Sequence, residues 1–185
     1  FSGFAPRCLL SVISGGIHAL AFPPLGWGWL VFPGIAGLLL AVGKQQGPRT
    51  MLLGLLHGIT AYSVGLFWLF GLFGPMAICL WMILAGFTVL FAWLQGYAGA
   101  KGWVWWKMAG FTAINWGAWE FIRSELFPLK FPWMTAGLAM GPNLLLPWIG
   151  VYGVGMIVVF AVALWASGRW KPALIASGIL IVAIA

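Results

Sequence analysis

Residues 76–97, MAICLWMILAGFTVLFAWLQGY, carry no acidic, basic or histidine side chain. A helix needs about 20 predominantly apolar residues to cross a bilayer, so this stretch reads as a membrane span. Gly74-Pro75, just before it, is a tight turn out of a second apolar run, 51–73. Working outward, similar runs cover 8–22, 27–42, 108–122, 148–167 and 172–185. Pro23-Pro24 stops the first of them, because neither proline has an N–H for the helix ladder. The polar loop Lys44-Gln45-Gln46-Gly47-Pro48-Arg49 precedes 51–73, and a short basic turn with Arg169 and Lys171 separates the last two runs. The pattern predicts an all-α fold: a polytopic transmembrane helical bundle of about seven spans, forming a single transmembrane domain over 1–185.

Composition points the same way. The 185 residues are 63% hydrophobic and 6% charged, with a mean hydropathy of +1.06. Soluble domains are roughly 25% charged, so a soluble fold is excluded. The net charge of +7, nine Lys and Arg against Glu120 and Glu125, would point to nucleic acid in a soluble chain. Here its distribution sets topology instead, and no nucleic-acid partner is expected. Alternate loops must face opposite sides, and Arg7, Lys44, Arg49, Lys101, Lys107, Arg169 and Lys171 then share one side. The positive-inside rule makes that side the cytoplasm, with a cytoplasmic N-terminus and an extracytoplasmic C-terminus. The chain starts at Phe1 and stops at Ala185 inside an apolar run, so it reads as an excerpt of a longer polypeptide.

The remaining four charges, Glu120, Arg123, Glu125 and Lys130, gather on the outer face. Segment 123–147 holds Pro128, Pro132 and Pro142 before a closing Pro147, yet stays rich in Phe, Leu and Trp. Such a backbone cannot face lipid unsatisfied, so the segment is expected to lie at the interface or to re-enter between helices. Glu120 and Arg123, three apart, share a face if the helix continues that far, and are placed to pair at the membrane boundary. Two readings stand side by side. In one the pair caps a helix end; in the other Arg123 or Lys130 meets a lipid phosphate while the aromatic residues line a path for an acyl chain.

Other chemistry finds little footing. Cys8 and Cys79 stand alone in apolar surroundings with no adjacent acid, which predicts neither a disulfide, a zinc site nor a nucleophile. Glu120 and Glu125 would point about 140° apart on a helix, so they form no carboxylate dyad. Neither catalytic residues nor metal ligands are expected. His18 and His57, beside glycines, are the weak candidates for ligating a haem or a chlorophyll-type pigment. Counted from the cytoplasmic side they differ in depth by roughly 6 Å, which disfavours joint ligation, and packed, hydrogen-bonded roles without a cofactor are the expectation.

Four stretches carry a resemblance. GIHALAFPPLG at 16–26, GLFW at 65–68 with Phe73-Gly74, WEFIR at 119–123 followed by Phe131-Pro132-Trp133, and GVYGV at 150–154 resemble, in that order, the membrane domain of the apolipoprotein N-acyltransferase family. The likeness runs over nearly the whole chain. It departs at Lys130, where the family usually has Gly, and at Ala139-Met140, where Ser-Gln is common. The resemblance implies a multi-pass protein of the bacterial inner membrane. In that family a phospholipid acyl chain passes to a Cys of a following nitrilase-like domain, then to the α-amino group of a diacylated lipoprotein. A Glu, Lys, Cys triad of that domain does the chemistry, outside these 185 residues. For this chain the implied role is to bind phospholipid and lipoprotein, with Glu120, Arg123, Lys130, Phe131, Pro132 and Trp133 as substrate- or lipid-binding residues. The alternative is a non-catalytic relative serving as a structural subunit of a larger membrane complex, holding lipid or pigment among other membrane subunits.

Overall fold

The structure, a computed structural model, describes the backbone of residues 3–184 and the side chains of 3–169 and 171–178. All regular structure among these residues is helical, so the all-α expectation holds. In chain order the helices are α1 (Phe4–Leu20), α2 (Val31–Val42), α3 (Pro48–Gly65), α4 (Trp68–Phe73), α5 (Met76–Gly99), α6 (Trp105–Phe121), α7 (Ala136–Ala139), α8 (Leu146–Ala166) and α9 (Trp170–Ile184). A 3-10 turn, Gly28–Leu30, leads into α2, and a π turn, Ile122–Leu126, extends α6.

Local chemistry explains the boundaries. Pro48 opens α3, where a missing N–H costs nothing. The apolar run 51–73 is two helices rather than one, because the chain breaks at Leu66 (φ −115°). There the thioether of Met134 packs so close over Gly65 that a β-carbon would lie 2.7 Å from its methyl. Helix α5 and the stretch Leu146–Ala166 are long and apolar enough to cross a membrane by length and composition, and Phe4–Leu20 and Gly28–Val42 are shorter apolar helices. Gly150 (φ 66°) kinks α8 near its start.

The core is apolar with polar side chains set into it, and the outer surface is apolar as well. Ser11, Ser14, His18, His57, Gln95, Asn115, Glu120 and Arg123 are buried, while Leu9, Leu40, Met51, Ile83, Ile114 and Trp165 are exposed on the long helices. A water-soluble monomer does not present its surface that way. Helix α3 packs between α1 and α5, α1 also packs on α2, and α6 packs on α8. At one end the Arg7 guanidinium donates to Leu40 O (3.2 Å) and Ala41 O (2.8 Å), joining the start of α1 to the end of α2. At that same end Arg49 lies over the Phe4 ring (5.6 Å) and Arg169 over the Trp105 ring (6.0 Å).

Candidate functional site

Helix α6 ends by presenting Trp116 and Glu120 on one face, four residues apart. Trp116 Nε1 donates to Glu120 Oε1 at 2.8 Å, and the same oxygen accepts the backbone N–H of Ala136 at 2.7 Å. In the π turn that follows, Arg123 Nη1 donates to the Tyr62 hydroxyl and Nη2 donates to Trp133 O at 3.0 Å. The N–H of Phe131 returns to Arg123 O at 3.2 Å. Side chains and backbone of one helix end thus hold the main chain of 131–136. The segment needs this: with Pro128 and Pro132, and positive φ at Lys130 (43°) and Met134 (61°), it forms no regular ladder of its own.

Two further features seat the segment. Met134, Thr135, Ala136 and Gly137 are all buried, so the chain dips into the bundle between α6 and α8. Gly137 rests so closely on α8 that a β-carbon would lie 1.9 Å from Val151 O. Below it sit the histidines. The His18 ring is stacked between Phe22 and Trp116, each centroid 5.7 Å away, and meets the His57 ring edge-on at 5.4 Å. Ser14 Oγ lies within hydrogen-bond distance of both Ser11 O (3.0 Å) and His57 Nδ1 (3.0 Å), tying α1 to α3.

His18, His57, Tyr62, Trp116, Glu120 and Arg123 line one cavity of about 30 Å³. At roughly 10–15 Å³ per water it admits a guest of about two or three water molecules. His18 Nδ1, His57 Nε2, Glu120 Oε2 and Arg123 Nε have no protein partner, so such a guest finds both donors and acceptors. The cavity at these rings, about 30 Å³, has no room for a haem or a chlorophyll-type pigment. The rings meet because α1 and α3 cross at Gly15, where a β-carbon would lie 2.5 Å from His57 O.

The residues expected to touch lipid divide into two groups. Glu120 and Arg123 are 5% and 3% exposed and turn inward, Glu120 to Ala136 N and Arg123 to Trp133 O. They are positioning residues for the segment. Lys130 and Pro132 are exposed, Phe131 is half-buried, and Trp133 is 52% exposed with its ring 5.9 Å from that of Trp68. Trp133 also walls an open groove of about 390 Å³, with Phe22, Leu66, Trp68, Leu138 and Ala139. That size is in the range of small-molecule sites. The structure brings Trp133 to this groove but not Lys130, Phe131 or Pro132. Glu125 is exposed and accepts from the Tyr152 hydroxyl at 2.6 Å, apart from Glu120.

Tyr62, Trp116 and Met134 were not foreseen. The spacing of Trp116 and Glu120 is a readable i, i+4 signal, whereas Tyr62 comes from another helix and leaves none. Tyr62→Phe, which strips Arg123 of an acceptor, is expected to lower stability by about 1–2 kcal/mol in a denaturant titration of the purified protein. A change below about 0.3 kcal/mol would show that this contact does not hold Arg123.

An all-helical domain with polar side chains buried within an apolar core, large apolar side chains on its outer surface and an anchored loop that walls a groove is the class of protein these features define. The family described as the apolipoprotein N-acyltransferase N-terminal domain matches residues 14–164. The chain belongs to this family. It is 29% identical over 199 residues to the apolipoprotein N-acyltransferase of Ralstonia nicotianae, covering 91% of this chain and 37% of that relative. The namesake enzyme of Coxiella burnetii is 30% identical over 168 residues (82% of this chain, 34% of the relative). That of Gloeobacter violaceus is 31% identical over 163 (88% and 24%). The chain thus spans a quarter to somewhat over a third of the length of these relatives.

Proposed function

We propose that this chain is the membrane-embedded, substrate-binding part of a lipoprotein N-acyltransferase of the bacterial inner membrane. The observation that carries the reading is the groove at Trp133. It is built of apolar and aromatic walls, at the end of the bundle opposite Arg7, Lys44 and Arg49. In this reading α1, α2, α3 with α4, α5, α6, α8 and α9 make about seven spans, and the cation-rich end faces the cytoplasm. The groove then opens toward the outer leaflet. It takes the acyl chain of a phospholipid, with exposed Lys130 at headgroup level to attract the phosphate.

The work of this chain is to bind and orient. Arg123 and Glu120 fix the main chain at Trp133 and Ala136, so the Trp133 ring is presented from a held backbone rather than a loose loop. Acyl transfer itself is assigned to a catalytic domain of the complete protein, with a diacylated lipoprotein as acceptor. The test is transfer of palmitate from phospholipid to a diacylated lipopeptide by the complete protein. Trp133→Ala is expected to cut kcat/KM about tenfold, as loss of one large apolar contact does, and Ile114→Ala, on the outer surface of α6, to leave it unchanged. Unaltered transfer by Trp133→Ala would remove the groove from the account; absence of transfer by the complete wild-type protein would leave the structural-subunit reading in its place.

A further inference from the structure

At the cation-rich end a second cleft opens, with a volume of about 130 Å³, close to the ~150 Å³ that accepts a benzene-sized guest. Leu39, Gln95, Thr112 and Ala163 form its buried part, and Trp105 and Ser167 its exposed part. Gln95, the only amide side chain in 76–97, is 7% exposed. Its Nε2 donates to Thr112 Oγ1 at 2.8 Å, and Thr112 Oγ1 donates onward to Met108 O at 2.8 Å. With Nε2 so bonded, Gln95 Oε1 is left with no partner. A buried carbonyl in that state favours any ligand that brings a donor.

The surroundings describe the rest of such a ligand. The Arg169 guanidinium lies 6.0 Å from the centre of the Trp105 ring that walls the cleft. Nearby on the same connection Lys107 lies over Trp106 and Lys101 over Tyr97. Cations set on aromatic rings at one level of an apolar bundle match a layer of lipid phosphates. We infer that this cleft seats the headgroup of one phospholipid from the leaflet on the cation-rich side, its ammonium or hydroxyl donating to Gln95 Oε1 and its phosphate facing Arg169. The inference rests on the membrane reading above and on nothing in the acyl-transfer step.

Headgroup chemistry makes the site selective, because ethanolamine and glycerol carry a donor and choline does not. The complete protein in mild detergent is offered equal amounts of phosphatidylethanolamine, phosphatidylglycerol and phosphatidylcholine with identical acyl chains, and retained lipid is read by native mass spectrometry. The first two are expected at roughly fivefold or more over the third, the effect of one hydrogen bond. Gln95→Leu should bring all three to the phosphatidylcholine level, and Arg169→Gln should weaken all three alike. Should Gln95→Leu fail to fold, Ser167→Phe fills the exposed part while leaving the Gln95–Thr112 bond intact, and should exclude every lipid. Equal retention of phosphatidylcholine, undiminished retention by Ser167→Phe, or binding of free phosphoethanolamine as tight as the lipid would each overturn the assignment. The readout is retention and not transfer, so its failure leaves the acyltransferase reading standing.

Discussion

Glu120→Ala is expected to release the outer segment and to lower stability by about 3–5 kcal/mol. The change removes the acceptor of two hydrogen bonds and leaves the Trp116 N–H and the Ala136 N–H buried without partners. Each orphaned donor costs roughly 1–3 kcal/mol in addition to the packing lost around a buried side chain. Glu120→Gln keeps the Oε1 acceptor and should lose about 1 kcal/mol. The segment itself supplies a probe, because Lys130 is exposed within it and trypsin cleaves after lysine. Opening that costs several kcal/mol less raises the open population by more than tenfold, and cleavage at Lys130 should accelerate accordingly in Glu120→Ala but little in Glu120→Gln. Equal cleavage of all three proteins would mean that Glu120 does not hold the segment.

The second large effect is steric. Gly137→Ala puts a β-carbon 1.9 Å from Val151 O, and the obstacle is backbone of α8 rather than a side chain that can swing aside. Forced overpacking of this kind costs about 3 kcal/mol or more, taken either as lost stability or as a shift of α7 away from α8. The groove suffers in both cases, since Leu138 and Ala139 line it. Gly86→Ala is the contrasting variant: Gly86 is half-buried but a β-carbon there meets nothing within 4 Å, and a helical alanine with that space should be neutral or stabilising by up to about 1 kcal/mol. A thermal unfolding series of the two variants checks both, and a Gly137→Ala protein as stable as wild type would contradict the close seating of the segment.

How much of this was legible beforehand depended on whether a feature is local. Helical runs were readable because an apolar stretch such as 76–97 declares itself through its own composition. The break at Leu66 was not, since it falls where Met134, from a distant part of the chain, packs over Gly65. Glu120 and Arg123 stood out as scarce charges. Their partners were hidden, because Ala136 N and Trp133 O are backbone groups whose position depends on the path of a proline-rich segment. The histidines show the same limit: counting residues along two helices says nothing of where they cross, and the crossing at Gly15 brings the rings into contact. The family was legible from short motifs, and the match over 14–164 confirms it.

The most direct test of the account is acyl-chain selectivity in the complete protein. Ala139 lines the groove beside Trp133 and Leu138, so Ala139→Phe should occupy part of the space assigned to the chain and leave the headgroup and the chemistry untouched. Transfer is measured from phospholipids that differ only in acyl length, palmitoyl against lauroyl, to one diacylated lipopeptide. The account predicts that Ala139→Phe lowers the palmitoyl-to-lauroyl ratio of kcat/KM by about tenfold, equivalent to about two displaced methylenes at ~0.8 kcal/mol each. An unchanged ratio, whether the overall rate holds or falls, would contradict it.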